Sequence, residues 1–257
     1  MTVQMTVQMT HCRTRGILLL LFVTANLSIF SNAATGAEID SINGYHLRQL
    51  SEEVGPIETL VSGDFCRFDN NANATTFIIN SRTNEVTILN HKSKEYWTTP
   101  IAQFAPALSF INKMERYTDY LDLRPAGTRT SSILSLPTTV EILKNPEKFT
   151  SNAIGKWDKQ TVISGEIAGC PSISQNRNMA RFASKFFSMP ESHAYPLEFT
   201  YKNRKGGVHT ILKTSLAEKA KVRQESFRRP PDYKKAKNQS EVYLDSAGHD
   251  TLEDMLK

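Results

Sequence analysis

Between Tyr45 and Thr99 the chain is a succession of short β-prone runs, each closed by turn-forming residues, and this rhythm limits the fold more than any other feature. Leu60 to Asp69 forms one run, ended by the cluster Asn70-Asn71-Ala72-Asn73. Thr75 to Ile79 is short and β-branched. Arg82, Thr83 and Asn84 supply a turn before Val86 to Leu89, and His91 to Lys94 supply another before Glu95 to Thr99. Strands separated by polar turns at intervals of about 8–12 residues are the signal of an antiparallel meander. Such a sheet is buried only by folding over a core or by closing into a barrel. Further strands are expected at Thr161 to Gly165, Pro196 to Tyr201, Val208 to Lys213 and Lys221 to Phe227. The clearest hairpin has Lys205-Gly206-Gly207 between two apolar runs.

Helical spacing enters where Pro100 breaks the strand pattern. Phe104, Leu108 and Ile111 fall on one stripe, with Phe110, Met114, Tyr117 and Leu121 beside it, predicting a helix that ends near Arg124. A shorter helix is expected over Thr138 to Lys144, stopped by Asn145-Pro146. A third runs from about Asn178 to Ser188. It places Met179, Phe182, Ala183, Phe186 and Phe187 on one face and Arg177, Arg181 and Lys185 along another. That basic rail is either the solvated side of a core helix or a contact for an anionic surface. The remainder of 126–160 yields no assignment.

The N-terminus sets the compartment. Arg13 and Arg15 precede an apolar run from Gly16 through Val23, continued less densely to Ile29 and Phe30. Small residues follow at Ser31, Ala33, Ala34 and Ala37, and no acidic residue occurs before Glu38. This is the layout of a secretory signal peptide over residues 1–37, cleaved after Ala33 or Ala37. The apolar run falls short of the roughly 20 residues a spanning helix needs, so no permanent membrane anchor is expected. Residues 38–238 then make one β-rich domain, and 239–257 a polar tail. Localisation is exported, periplasmic or extracellular.

Removing the segment lowers the net charge from +5 to about +3. That balance argues against nucleic-acid binding, which concentrates basic residues far more strongly. The run Arg228, Arg229, Lys234, Lys235 and Lys237 reads as a solvated chain end or a contact patch. Cys66 and Cys170 remain. In an oxidising compartment the pair is expected as a disulfide, the alternative being two separately buried thiols. The chemistry of an enzyme is missing: there is no Gly-x-Ser-x-Gly elbow, phosphate-cradling glycine loop or His-Glu-x-x-His. His46, His91, His193, His209 and His249 are scattered without ligand spacing, so neither metal nor cofactor is expected.

Three stretches resemble the periplasmic lipoprotein-carrier family (LolA/LolB-like). They are Ser62-Gly63-Asp64-Phe65-Cys66-Arg67-Phe68-Asp69, the strand–turn–strand rhythm of Phe77 to Trp97, and Phe227-Arg228-Arg229-Pro230-Pro231-Asp232-Tyr233. The Leu197 to Thr214 hairpin fits as well. The resemblance implies an α+β, mostly β fold: a strongly curved antiparallel sheet, an unclosed barrel, with covering helices and an apolar cavity between. It implies a non-enzymatic carrier or sensor of lipid, an acyl chain or a lipoprotein. Phe65, Phe104, Leu108, Ile111, Met114, Met179, Phe182 and Phe186 would line the cavity, and Arg67 is the candidate for anchoring a lid. The competing expectation is an envelope protein–protein interaction module with a packed core and no ligand.

Overall fold

Asparagines at ten-residue spacing set the register of the first sheet strands. In the computed structural model, which describes residues 41–106, 119–145, 162–174 and 176–243, strands β3 (Phe65–Asn70), β4 (Thr75–Asn80), β5 (Glu85–Asn90) and β6 (Glu95–Pro100) form consecutive hairpins. The first three of these strands end on Asn70, Asn80 and Asn90. Each Oδ1 accepts backbone N–H bonds from the turn that follows: from Asn73, from Arg82 and Thr83, and from Lys92 and Ser93. Each turn closes on a residue with positive φ, at Ala74, Asn84 and Lys94. Asparagine suits this position because its short amide mimics a backbone turn.

β1 (Ser41–Ser51) and β2 (Gly55–Ser62) precede these hairpins. The run expected as one strand from Leu60 to Asp69 is therefore two. Left-handed Gly63 (φ 55°) opens a two-residue turn with Asp64, and Ser62 pairs with Phe65. After β6 come β7 (Arg124–Ile133), β8 (Leu136–Lys144), β9 (Val162–Cys170), α1 (Arg177–Phe186), β10 (Tyr195–Asn203), β11 (Val208–Arg223), the two-residue β12 (Lys234–Lys235) and the short α2 (Gln239–Tyr243). Among the described residues, twelve strands join one sheet in the order β12-β6-β5-β4-β3-β2-β1-β11-β10-β9-β8-β7. All neighbours are antiparallel except β12 and β6. The described residues belong to one unit, Asp40–Lys257.

The sheet curls on itself without closing. Phe68 on β3 and Tyr195 on β10 are four ladder steps apart, a separation of about 19 Å in a flat sheet. Their ring centroids lie 6.5 Å apart. The inner face so formed takes Leu47, Val61, Phe68, Ile79, Ile167 and Phe199 into one core, which α1 closes with Met179, Phe182, Ala183 and Phe186. The helix is positioned by its cap, where the Asn176 side chain accepts from Asn178 N at 3.0 Å. Behind the sheet, Ile78, Leu89 and Val222 make a second, smaller cluster with Phe227 of the turn Gln224–Phe227.

Several expectations change. Thr138 to Lys144 is strand β8, not a helix: Thr138, Val140, Glu141 and Leu143 are buried, and the segment is paired on both sides by β7 and β9. β-Branched Thr138, Thr139 and Val140 favour this pleated setting, and Pro137 marks the strand's start rather than a helix's first turn. Lys221 to Phe227 is not one strand, since β11 ends at Arg223 and a 3-10 turn follows. Of the helix expected from Phe104 to Arg124, residues 107–118 lie outside the described residues. Phe104 sits in a turn, Asp119–Asp122 is a 3-10 turn, and Arg124 begins β7. Residues 1–40, which include the expected signal peptide, and residues 244–257 also lie outside. Gln239–Tyr243 is not solvated tail: Val242 is fully buried, and its carbonyl accepts from Asn90 Nδ2 at 2.9 Å.

Candidate binding site

The space beneath the curled sheet is filled by aromatic side chains. Phe68 contacts Phe182, Phe186 and Phe187 with ring centroids 5.6, 4.7 and 5.8 Å apart. Phe77 stands 4.9 Å from Phe186, and Phe104 stands 4.8 Å from Phe182. These are the separations of tilted and edge-to-face pairs in contact. Of the expected cavity residues, Phe104, Met179, Phe182 and Phe186 do come together on this inner face, all buried. Phe182 packs against Phe68, Phe104 and Phe186, and Met179 joins the same buried cluster. Leu108, Ile111 and Met114 fall outside the described residues.

Phe65 belongs elsewhere. Strand alternation turns it to the outer face, where its ring stacks on Phe227 at 5.6 Å. Arg67 shares that face. It is paired with Asp69 at 2.8 Å, and its Nη1 donates to Ser226 O at 2.9 Å. It anchors the chain segment after β11 to the back of the sheet, not a lid over a cavity. From Asp69 a chain of bonds continues: Thr76 Oγ1 donates to Asp69 Oδ1, His91 Nε2 lies 2.7 Å from Thr76 Oγ1, and His91 Nδ1 meets the Tyr233 hydroxyl. With Thr76 donating to Asp69, His91 Nε2 donates to Thr76 Oγ1, and the neutral imidazole then accepts from the Tyr233 hydroxyl at Nδ1.

Loss of solvation, with Arg67 close by, holds the His91 imidazole below its ordinary value of 6.5. On acidification the unfolded chain takes up this proton first. The stabilising contribution is therefore complete above about pH 6.5 and is lost as pH falls through that value toward the lower folded one. The midpoint of thermal unfolding should fall between about pH 7.5 and 5.5, and the fall should be shallower in His91→Gln. Equal slopes in the two proteins would refute this assignment.

The basic residues are largely engaged. Arg177 and Arg181 reach Glu191 at 3.8 and 3.4 Å, and Lys185 Nζ donates to the carbonyls of Ile101 and Ala102. The rail of α1 is thus tied to neighbouring loops. In the run after β11, Arg229 lies over the Tyr96 ring at 4.1 Å and Lys235 over Trp97 at 5.7 Å. That run is a strap across β6, not a solvated end.

Cys66 and Cys170 are separate thiols, which corrects the expected disulfide. Both are fully buried. Burial pushes the Cys66 thiol up, its side chain lying against the Tyr195 hydroxyl, while Cys170 Sγ sits 3.1 Å from Ser172 Oγ. Each fills a place in the core as a small apolar group. Iodoacetamide labelling read by peptide mass spectrometry should leave both unmodified in the folded protein and modify both in denaturant without reductant. A Cys66–Cys170 crosslinked peptide would contradict this.

A buried polar knot also ties the core together. Gln49 Nε2 donates to Pro196 O and Thr214 Oγ1, both at 3.1 Å. Gln49 Oε1 accepts from Thr59 Oγ1 and Tyr195 Oη at 3.3 and 3.1 Å. Strands β1, β2, β10 and β11 are thereby joined through one side chain, a junction that no pattern in the sequence marks.

An open groove of about 970 Å³ lies at one end of the sheet. Asn43 and Tyr45 of β1 and Val61 and Ser62 of β2 line it beside Lys219 and Lys221 of β11, together with Ser172, Ile173, Ser174 and Asn176. β1 can lie this close to β2 because residue 44 is glycine: a Cβ there would fall 2.3 Å from Val61 O. At the rim, Asp64 is paired with Arg82 at 2.9 Å. A smaller recess of about 250 Å³ lies by Leu123, Pro190 and His193. Among the described residues, no three His, Cys, Asp or Glu side chains gather to hold a metal ion. No helix among them is long and apolar enough to cross a membrane.

These features define a class: an open, curled antiparallel sheet with one helix seated on its inner face. No protein-family model matches the chain, and no curated protein matches it. Solved structures similar to it include an uncharacterized conserved protein from Thermus thermophilus, at 12% identity and a TM-score of 0.39, covering 76% of this chain and 90% of that one. The MucA/MucB complex of Pseudomonas aeruginosa is similar at 13% identity and a TM-score of 0.37, covering 77% of this chain and 59% of that one. A LolA superfamily protein from Nitrosomonas europaea is similar at 9% identity and a TM-score of 0.24, covering 74% and 91%.

Proposed function

We propose that this chain is an exported, non-catalytic module that binds another polypeptide on its surface, rather than a carrier that stores a lipid inside. The observation that supports this reading is the aromatic filling of the inner face. Phe68, Phe77, Phe104, Phe182 and Phe186 occupy the space an acyl chain would need. A carrier site is a preformed apolar cavity that encloses most of its ligand. The open space here is instead a groove whose walls mix Asn43, Ser62, Lys219 and Lys221 with Tyr45, Val61, Ile173 and Ala220, a lining that offers polar partners to a polypeptide backbone as well as apolar contact. Export rests on the basic, apolar and small-residue order of residues 1–37.

The test is a titration of the folded protein with an apolar dye such as 1-anilinonaphthalene-8-sulfonate and with a fluorescent fatty acid. The reading predicts no saturable gain in emission from either. Stoichiometric binding of the fatty acid, with the far-ultraviolet spectrum unchanged, would return the chain to the carriers.

A further inference from the structure

One long strand loses a partner midway. β11 pairs with β10 only from Val208 to Lys213, while its pairing with β1 continues to Arg223. Thr214 still bonds across to Leu197 O of β10, so among the described residues Ser215 to Arg223 has a neighbouring strand on one side alone. In an antiparallel strand, alternate residues direct their N–H and C=O groups away from a given neighbour. The unpaired side is an edge about 30 Å long, at roughly 3.4 Å per residue. Its far end borders the 970 Å³ groove, which Lys219, Ala220 and Lys221 line together with Ser172, Ile173, Ser174 and Asn176.

The two ends of the sheet differ from this edge, β6 being covered at Glu95 and Tyr96 by β12. β7 is interrupted by Pro125 and by a register shift between Pro125 and Gly127, features that discourage strand addition. Thr214 to Arg223 contains no proline or glycine. Lys219 and Lys221 lie opposite Tyr45 and Asn43 in the ladder, so all four side chains share a face of the sheet. Both lysines are exposed, and among the described residues neither has an ion-pair partner. Asp64, the acidic group at the rim, is already paired to Arg82.

We propose that this groove receives an extended, acidic polypeptide segment, which pairs with the free edge of β11 and places carboxylates against Lys219 and Lys221. The proposal rests on the polypeptide-binding reading and gives it a site. Backbone pairing supplies affinity without sequence demand, and alternate side chains supply selection. Two lysines are too few to hold a nucleic acid by its phosphates, and an acyl chain would leave the edge's N–H and C=O groups unpaired.

The experiment is a fluorescence-anisotropy titration with a labelled peptide of alternating Glu and Val. Two further probes are its Lys/Val counterpart and a Glu/Val peptide N-methylated at every residue, which blocks both of its edges. The acidic peptide should bind saturably and weaken as salt rises. In Lys219→Glu/Lys221→Glu its affinity should drop at least about tenfold, as for removal of close charge pairs, and the preference should turn toward the Lys/Val peptide. N-methylation should abolish binding. Both substitutions are on exposed side chains, so the thermal midpoint should not move, and Lys205→Glu in the β10–β11 hairpin should leave binding intact.

Absence of saturable binding overturns the proposal, with the lysines then serving only to guard the edge against self-pairing. Binding that survives the double substitution or N-methylation also overturns it, while leaving a polypeptide-binding protein whose site is elsewhere. Failure of every peptide together with stoichiometric fatty-acid binding removes the underlying reading as well.

Discussion

Phe68→Ala should lower the free energy of unfolding by about 3–5 kcal/mol, the range for truncating a buried aromatic in a close-packed core. Phe68 is fully buried and touches three rings of the α1 segment together with Tyr195. Its loss would detach the helix from the inner face of β3 as well as leave a void. Phe68→Leu should cost clearly less, since it retains most of the apolar contact. The measurement is equilibrium denaturation in urea, comparing midpoints at a common slope. The outcome separates two pictures of the interior: if these rings lined a standing ligand cavity, shortening one would enlarge the cavity at little cost. A loss below about 1 kcal/mol would favour that picture.

Gln49→Leu should cost about 2–4 kcal/mol, although it conserves volume and adds apolar surface. The reason is what it leaves behind. Thr59 and Tyr195 lose the Oε1 that accepts from them, and the Pro196 carbonyl loses the donated N–H, all in a buried setting. Orphaned buried groups carry their full desolvation penalty, whereas replacing both members of a bond by apolar groups of similar shape is close to neutral. Adding Thr59→Val and Tyr195→Phe to Gln49→Leu should therefore recover part of the lost stability. A triple variant less stable than Gln49→Leu alone would show that these hydroxyls have other partners and that the knot is misassigned.

The strand rhythm was legible because each hairpin carries its own turn chemistry. Thr75 to Ile79, Val86 to Leu89 and Glu95 to Thr99 lie within observed strands, and the Gly206-Gly207 hairpin joins β10 to β11. The helix at 177–186 was readable from the spacing of Met179, Phe182 and Phe186. What failed has local causes. Gly63-Asp64 is a turn of only two residues, too short to interrupt a composition-based run. Pro137 followed by Thr138 and Thr139 resembles a helix start, and only pairing with β7 and β9 decides for strand. A ten-residue asparagine repeat was present to be read and would have placed three turns directly.

The site was less legible than the fold. Apolar spacing correctly gathered Phe104, Met179, Phe182 and Phe186 on one face, but spacing is the same for residues that line a cavity and residues that fill one. The face of Phe65 and Arg67 depended on a strand boundary that the single run from Leu60 to Asp69 obscured. The groove beside Lys219 and Lys221 lies along the part of β11 beyond its last pair with β10, Glu198–Lys213. That divergence is a property of three-dimensional pairing, and no local pattern announces it.

The most direct test of a filled interior is native mass spectrometry of the protein purified from a membrane-containing extract without detergent exchange. The packed aromatic core predicts the bare mass of the polypeptide, with no adduct that collisional activation releases as lipid. A stoichiometric adduct of fatty acid, phospholipid or lipoprotein acyl mass would contradict it and show the chain to be a carrier.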